Sequence, residues 1–289
     1  MLILKKANVF ITADSPCDLP KDITEKREIT IVPLSVLLGE VSYRDGIDIK
    51  PQAIYDNVSK TKVLPKTSAV PIGQYYDLFK KLTEDGSEVV HISLSSGISS
   101  SYQNAVNAAS EFSGVHIVDS RSLCHGFGLL VLKVADFRDK GLDAKKIADK
   151  VRKLVPKTSA TFVINNLDYL HKGGRCSGVT KLGANLLGIK PEIAVNAETG
   201  TLDVSKKYRG KIDAVYKNYA KDILKNSDKM DKSRIFISNS GDVSKETIMF
   251  VKGLFEGTGK FEEIIIADAG CVISSHCGPK TFAIFYIKK

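Results

Sequence analysis

The chain has 289 residues, 43% hydrophobic and 26% charged, with 42 Lys and Arg against 33 Asp and Glu for a formal net charge of +9. That length exceeds one ordinary core and predicts two domains, and that composition excludes collagen, a coiled coil and a long disordered chain. The five cysteines, Cys17, Cys124, Cys176, Cys271 and Cys277, are scattered without a Cys-x-x-Cys pair, so neither a disulfide framework nor a zinc site is indicated.

Residues 9–12 read as a strand that ends in a polar turn over residues 13–20, and Ile29–Val32 reads as a second strand. Residues 89–94 form a third, followed at once by a Ser/Gly loop and a helix over 99–112 with Tyr102, Val106 and Ala109 on one face. Val115–Asp119 is a strand, 123–140 a helix, and Ala144–Leu154 a lysine-rich helix. This alternation implies right-handed βαβ units and a parallel sheet. A strand over 160–164 opens a different texture, with glycines at Gly173, Gly174, Gly178, Gly183 and Gly188 and a hairpin over 192–204. A helix over 212–226, a strand over 234–238, a helix over 243–255 and strands at 263–267 and Phe282–Ile287 complete the chain. The change of texture places a domain boundary at 158, dividing the chain into residues 1–158 and 159–289.

The opening Met-Leu-Ile-Leu-Lys-Lys is too short in apolar residues for a signal peptide. No run approaches the roughly 18–20 apolar residues that span a bilayer, so a cytoplasmic protein with no integral membrane segment is expected. Lysines are spread along the chain, with clusters at 206–211 and Lys288-Lys289, and the 8% of aromatic residues, none of them Trp, are not interleaved with them. A nucleic-acid surface would show that interleaving. A solvated basic face is the plainer reading, a basic nucleic-acid-binding or regulatory module the alternative, and the same face suits an acidic protein partner.

Several catalytic signatures are missing. Gly257-Thr-Gly-Lys260 lacks the glycine spacing and hydroxyl of a phosphate loop, and Gly126-Phe-Gly128 is followed by Val131 where a dinucleotide fingerprint needs a small residue. Neither Gly-x-Ser-x-Gly nor His-Glu-x-x-His occurs. Hydroxyl-rich segments stand out instead: Ser93 through Tyr102, with Ser95 and Ser96 at its centre, and Lys66-Thr67-Ser68-Ala69-Val70-Pro71 ahead of a helix near Gly73. Both fit either N-caps or the cradle of an anion at a helix start, beyond the carboxyl ends of strands where open α/β sheets bind ligands. Taken singly, His276 in the loop 273–279 reads as a surface or packing residue and Arg209 as a solvated charge. His91 and His116 read as structural, and His125 and His171 are open.

Taken in order, these segments resemble the DegV family. The stretches that carry the resemblance are Thr12-Ala-Asp14-Ser15-Pro-Cys-Asp18-Leu19, Val32-Pro-Leu-Ser-Val36, Lys66 to Pro71, Ser93 to Gln103, Val118-Asp119-Ser120, Asn166 to Arg175, Lys190-Pro191, Arg209-Gly210-Lys211 and His276-Cys-Gly278-Pro279. The resemblance implies two α/β domains, a three-layer α/β/α domain with a parallel sheet and a two-layer α/β domain with a mixed sheet, with a ligand at their junction. It also implies a non-catalytic protein without cofactor that binds a long-chain fatty acid. Such a protein presents the carboxylate to a separate ATP-binding fatty acid kinase subunit, and the acyl phosphate serves phospholipid synthesis. Carried onto this chain, Thr67 and Ser96 hydrogen-bond the carboxylate with Ser68 and Ser95 in support. His276 and Gly278 lie at the head group, and Arg209 and His276 match residues used for phosphotransfer or partner docking. Two departures stand out: the family's Gly-Pro-Gly is Gly278-Pro279-Lys280, and its Thr-Ser-Gln-Pro is Thr67-Ser68-Ala69-Val70 with the proline moved to Pro71. The competing enzymatic reading is a stand-alone acyl-transfer or esterase activity using Ser96 and His276, for which no acid that would orient the histidine is evident in the sequence.

Overall fold

The computed structural model describes residues 8–176 and 188–289; Gly178 and Gly183 of the glycine cluster lie outside them. The first stretch runs β1 (Val9–Asp14), α1 (Lys21–Lys26), β2 (Ile29–Val32), β3 (Ser35–Leu38), β4 (Val41–Arg44), α2 (Pro51–Thr61), β5 (Lys66–Ser68) and α3 (Ile72–Thr83). It continues with β6 (Glu88–Ser93), α4 (Ser101–Ala109), β7 (Val115–Asp119), α5 (Cys124–Asp139) and α6 (Ala144–Leu154). The remainder is β8 (Thr158–Val163), α7 (Asp168–Lys172), β9 (Ile189–Val195), β10 (Leu202–Arg209), α8 (Ile212–Leu224), β11 (Arg234–Asn239), α9 (Lys245–Glu256), β12 (Glu263–Asp268), α10 (Cys271–Cys277) and β13 (Phe282–Ile287).

Three sheets result. A four-stranded parallel sheet has the order β2-β1-β6-β7, and a three-stranded antiparallel sheet the order β4-β3-β5. A six-stranded mixed sheet has the order β10-β9-β8-β13-β11-β12, and all its strands lie at or after Thr158. Helices cover both faces of the parallel sheet, so β1 and β6 are buried on nearly every residue, without the alternation of a half-exposed strand.

Helix α5 is the shared layer: it packs on β1 and β6 of the parallel sheet and on β8, β11 and β13 of the mixed one. Eleven of its sixteen residues are buried, which explains why Cys124–Asp139 lacks a polar face. The Gly126-Phe-Gly128 pattern belongs to this packing. A Cβ on Gly126 would lie 3.0 Å from Phe285 and one on Gly128 2.7 Å from the Cys17 carbonyl. Helices α8 and α9 cover the far face of the mixed sheet with a second core around Tyr216, Tyr219, Phe255 and Phe282. No helix among the described residues is long and apolar enough to cross a membrane.

The three-stranded sheet was not visible in the sequence, and it changes the setting of one expected site. Thr67 and Ser68 do not sit at a helix start: they belong to β5, where Val36 pairs with Thr67 and Ser35 with Ser68, and α3 begins at Ile72 behind an N-cap Pro71. The segment 273–279, expected as a loop, is mostly the short helix α10, whose neighbours are α2, α7, β3 and β5.

Candidate functional site

Between α5, the mixed sheet, α10 and the loop after β6 lies a cavity of about 880 Å³, its open mouth included. Its walls are largely apolar: Leu94 and Ile98 from the loop, Phe162 and Phe285 from the mixed sheet, Val272 and Ile273 from α10. The polar lining comprises Thr67 and Ser68 of β5, Ser99 and Ser100 ahead of α4, Arg175 and His276, with Ser238, Asn239 and Ser240 from around the end of β11 and Thr281 from the approach to β13. An apolar chamber with a few convergent polar groups is the usual form of a small-molecule site.

Two of these polar residues, far apart in the chain, meet. Thr67 Oγ1 lies 2.8 Å from His276 Nε2, while His276 Nδ1 is buried without a hydrogen-bond partner among the described residues. Burial, and then the nearby charge of Arg175, pushes the imidazole down to about 4, so the ring is neutral near pH 7 with one nitrogen to donate and one to accept. Arg175 itself is exposed and donates to the Gly173 carbonyl at 2.6 Å. A Cβ on Gly173 would lie 2.6 Å from His276 Nδ1, so the glycine leaves room for the ring.

The turn that ends α10 is held by backbone conformation. Gly278 has φ +69°, and a Cβ there would meet the Tyr169 ring at 2.7 Å; its carbonyl accepts from Ser240 Oγ at 2.7 Å. Lys280 also has a positive φ of 59°, with its carbonyl accepting from Tyr216 Oη at 2.5 Å. Its side chain is exposed, so a lysine here loads backbone strain onto the turn without filling the cavity.

The remaining expected residues are placed elsewhere. Ser95 is fully buried, and its hydroxyl donates to the Gly200 carbonyl at 2.8 Å, tying the loop to the tip of the β9–β10 hairpin. Ser96 is exposed: its Oγ donates to Asp119 Oδ2 at 2.6 Å and its N–H to Oδ1 at 3.1 Å, with Arg121 on the same carboxylate. Neither serine lines the cavity, nor does either cap a helix; α4 begins at Ser101. Arg209 is exposed at the last position of β10, paired across the ladder with Ile189. The structure thus joins Thr67, Ser68 and His276 at the cavity, sets Gly278 just behind, and leaves Ser95, Ser96 and Arg209 off its walls. Arg175, Ser99 and Ser100 reach the cavity without having been singled out, although Arg175 lay in the Gly173-Gly174-Arg175 stretch and the serines in the hydroxyl-rich loop.

A buried carboxylate organises the loop. Asp14, at the end of β1, accepts from Tyr75 Oη at 2.5 Å, Ser93 Oγ at 2.8 Å and Leu94 N at 2.9 Å, which fixes the exit of β6 toward the cavity. His91 and His125 are buried in the core, as structural residues would be; Thr12 Oγ1 lies 2.9 Å from His91 Nδ1, and Ser238 Oγ 2.5 Å from His125 Nδ1. Among the described residues no group of three or more His, Cys, Asp or Glu is arranged to hold a metal ion.

Sheets, shared helix and cavity define an α/β protein built around one interior chamber. The family profile described as "Uncharacterised protein, DegV family" matches residues 8–289, and the chain belongs to that family. It is 29% identical over 284 residues to a DegV domain-containing protein of Clostridium perfringens, covering 97% of this chain and 99% of the relative. Among solved structures it is similar to a DegV family protein from Thermus thermophilus reported for fatty acid binding, with a TM-score of 0.89 at 25% identity over 98% of this chain and all of that one. It is also similar to a stearic acid-binding protein from Eubacterium ventriosum, with a TM-score of 0.83 at 29% identity over 96% and 98% of the two chains.

Proposed function

We propose that this chain binds one long-chain fatty acid in the cavity, with the carboxylate at the Thr67–His276 end and the hydrocarbon tail along the apolar walls. The observation that carries the reading is a largely apolar chamber on whose wall a hydroxyl and a neutral imidazole, Thr67 and His276, meet. Neutral donors can hold an anion without burying a counter-charge, and Ser99 and Ser100 stand directly before the N-terminus of α4, whose dipole favours negative charge. Each methylene moved from water into the chamber contributes about 0.8 kcal/mol, so the tail supplies most of the affinity and the hydroxyls fix which end faces out. Similarity to proteins reported to bind fatty acid supports the same assignment.

In this reading the protein is a non-catalytic, cytoplasmic subunit. It presents the acid to a separate ATP-binding kinase, with the exposed Arg209 on the docking face and His276 beside the carboxylate. The loop Ser95–Ser96 shapes the chamber through Gly200 and Asp119. The hydrolase reading has no comparable support: Ser96 pairs with Asp119 and His276 with Thr67, so nucleophile and base are separately engaged. Mass spectrometry of an organic extract of the purified chain is expected to show co-purifying fatty acid. No acid in the extract, and no uptake of palmitate or oleate by the delipidated protein, would overturn the proposal.

A further inference from the structure

Behind the cavity wall two carboxyl groups converge on the start of α10. The N-cap of that helix, Gly270, has no side chain to offer, and the cap comes from far away in sequence. Asp45, in the turn after β4, accepts from Cys271 N at 2.9 Å and Val272 N at 3.4 Å through Oδ1, and from Ser15 Oγ at 2.7 Å through Oδ2. Asp18 approaches the same point. A Cβ on Gly270 would lie 2.4 Å from Asp18 Oδ1 and 3.6 Å from Asp45 Oδ1, so only glycine admits both carboxyls. Both oxygens of Asp18 are buried and none of the described groups makes a well-formed hydrogen bond to them; the Cys124 thiol and the Gly270 N–H are only near enough to act weakly.

The two acids are therefore unequal. Asp45, with three donors and a helix start beside it, is the one equipped to hold the charge. Burial, then the charge of Asp45, pushes Asp18 up to about 8; burial raises Asp45 as well. The Cys124 thiol and the Gly270 N–H offset this only in part, and the titratable groups around Asp18 bring no opposite charge. Burial pushes up the thiols of Cys17, Cys124, Cys271 and Cys277, the last two to about 12 and about 11, and holds His125 down to about 3, so all are neutral near pH 7. Asp14 is occupied by Tyr75, Ser93 and Leu94 N, and no Lys or Arg among the described residues forms an ion pair with Asp18 or Asp45. The same α10 lends Val272, Ile273, His276 and Cys277 to the cavity wall, and Cys124 beside Asp18 is on that wall too.

We propose that Asp18 and Asp45 are positioning residues for the ligand site: a carboxyl pair that keeps one proton at the start of α10 and, on losing it, loosens the helix that sets His276 against Thr67, so that mild alkali speeds release of the bound acid. The release step rests on the fatty-acid reading; the proton does not. Because Asp18 is raised above its ordinary value, folding takes up a proton. Its stabilising effect is complete below about pH 4 and is lost as pH rises through about 8.

Asp18→Asn keeps the shape and removes the ionisation. Relative to this variant, the unfolding equilibrium constant of the wild type is expected to rise about tenfold per pH unit between roughly 5 and 8 and to level off above. Carboxyl carbon NMR of the wild type, which needs no variant to fold, is expected to show one aspartate titrating near pH 8 that is missing from Asp18→Asn. Release of bound palmitate from the wild type is expected to quicken at least about threefold from pH 7 to 9 and to stay flat in the variant. Titration of Asp18 below pH 5, a stability difference without slope, or release equally pH-dependent in both proteins overturns the proposal. Failure to bind palmitate at any pH strikes the fatty-acid reading, and the titration and stability results then judge the carboxyl pair without a ligand.

Discussion

The loop after β6 carries six serines over residues 93–101, while β5 carries only Thr67 and Ser68, yet the two segments meet the cavity in opposite conditions. In the loop, Ser93 is spent on Asp14, Ser95 on Gly200, Ser96 on Asp119, and Ser99 bonds Ser101; only Ser99 and Ser100 touch the chamber. In β5 both hydroxyl residues line it, and Thr67 meets a histidine whose other nitrogen has no partner among the described residues. A run of hydroxyls measures how many local acceptors a chain must satisfy as readily as it measures an anion site. What decides between the two is which acceptors arrive from elsewhere.

That contrast can be broken at several points. The largest effect is expected from Gly97→Ala, whose Cβ would stand 2.5 Å from the Thr199 carbonyl and 2.6 Å from Gly200 C, driving the hairpin tip off the serine loop. Chemical denaturation is expected to show a loss on the order of 2–4 kcal/mol; a loss below about 0.5 kcal/mol would mean that the loop is not held by the hairpin. Next comes the imidazole. Because burial holds His276 at about 4, below its ordinary 6.5, it contributes stability that is present above about pH 6.5 and is lost as pH falls through about 4. His276→Gln is expected to flatten that acid limb, and an unchanged limb would assign it to other groups.

Smaller effects separate the two segments directly. Thr67→Val is expected to weaken palmitate binding about tenfold, the loss of one hydrogen bond to a charged group, with Ser96→Ala changing it less than about twofold. Titration calorimetry on the delipidated chain reads both, and a reversed order would move the head group from β5 to the loop. Smallest of all, Ser95→Ala is expected to lower stability by about 1 kcal/mol through the unpaired Gly200 carbonyl while leaving affinity unchanged.

Much of the architecture could be read from the residues because it is periodic. Val/Ile runs marked β1, β2, β6 and β7, and the buried character of 123–140 marked α5 to within one residue at each end. The three-stranded sheet could not be read: β4 is mostly exposed, β5 has three residues, and both exist only because β3 pairs with them. Helix α10 was hidden for a similar reason. Its Cys-Val-Ile-Ser-Ser-His-Cys sequence is poor in helix formers and has no local cap, and the residue that caps it, Asp45, lies 226 positions before Cys271. At the site, Thr67 and His276 were visible as residue types, but their contact spans 209 positions, and the acceptors that occupy Ser95 and Ser96 lie 105 and 23 positions away.

In the proposed complex the fatty acid carboxylate lies against Thr67 and His276. The most direct measurement is carbon NMR of the delipidated chain loaded with palmitate labelled at the carboxyl carbon, in the wild type and in Thr67→Val, His276→Gln and Ser96→Ala. A single bound resonance that shifts in the first two variants and holds still in the third is the expected result. No bound resonance, or one that responds to Ser96 and ignores Thr67 and His276, would contradict it.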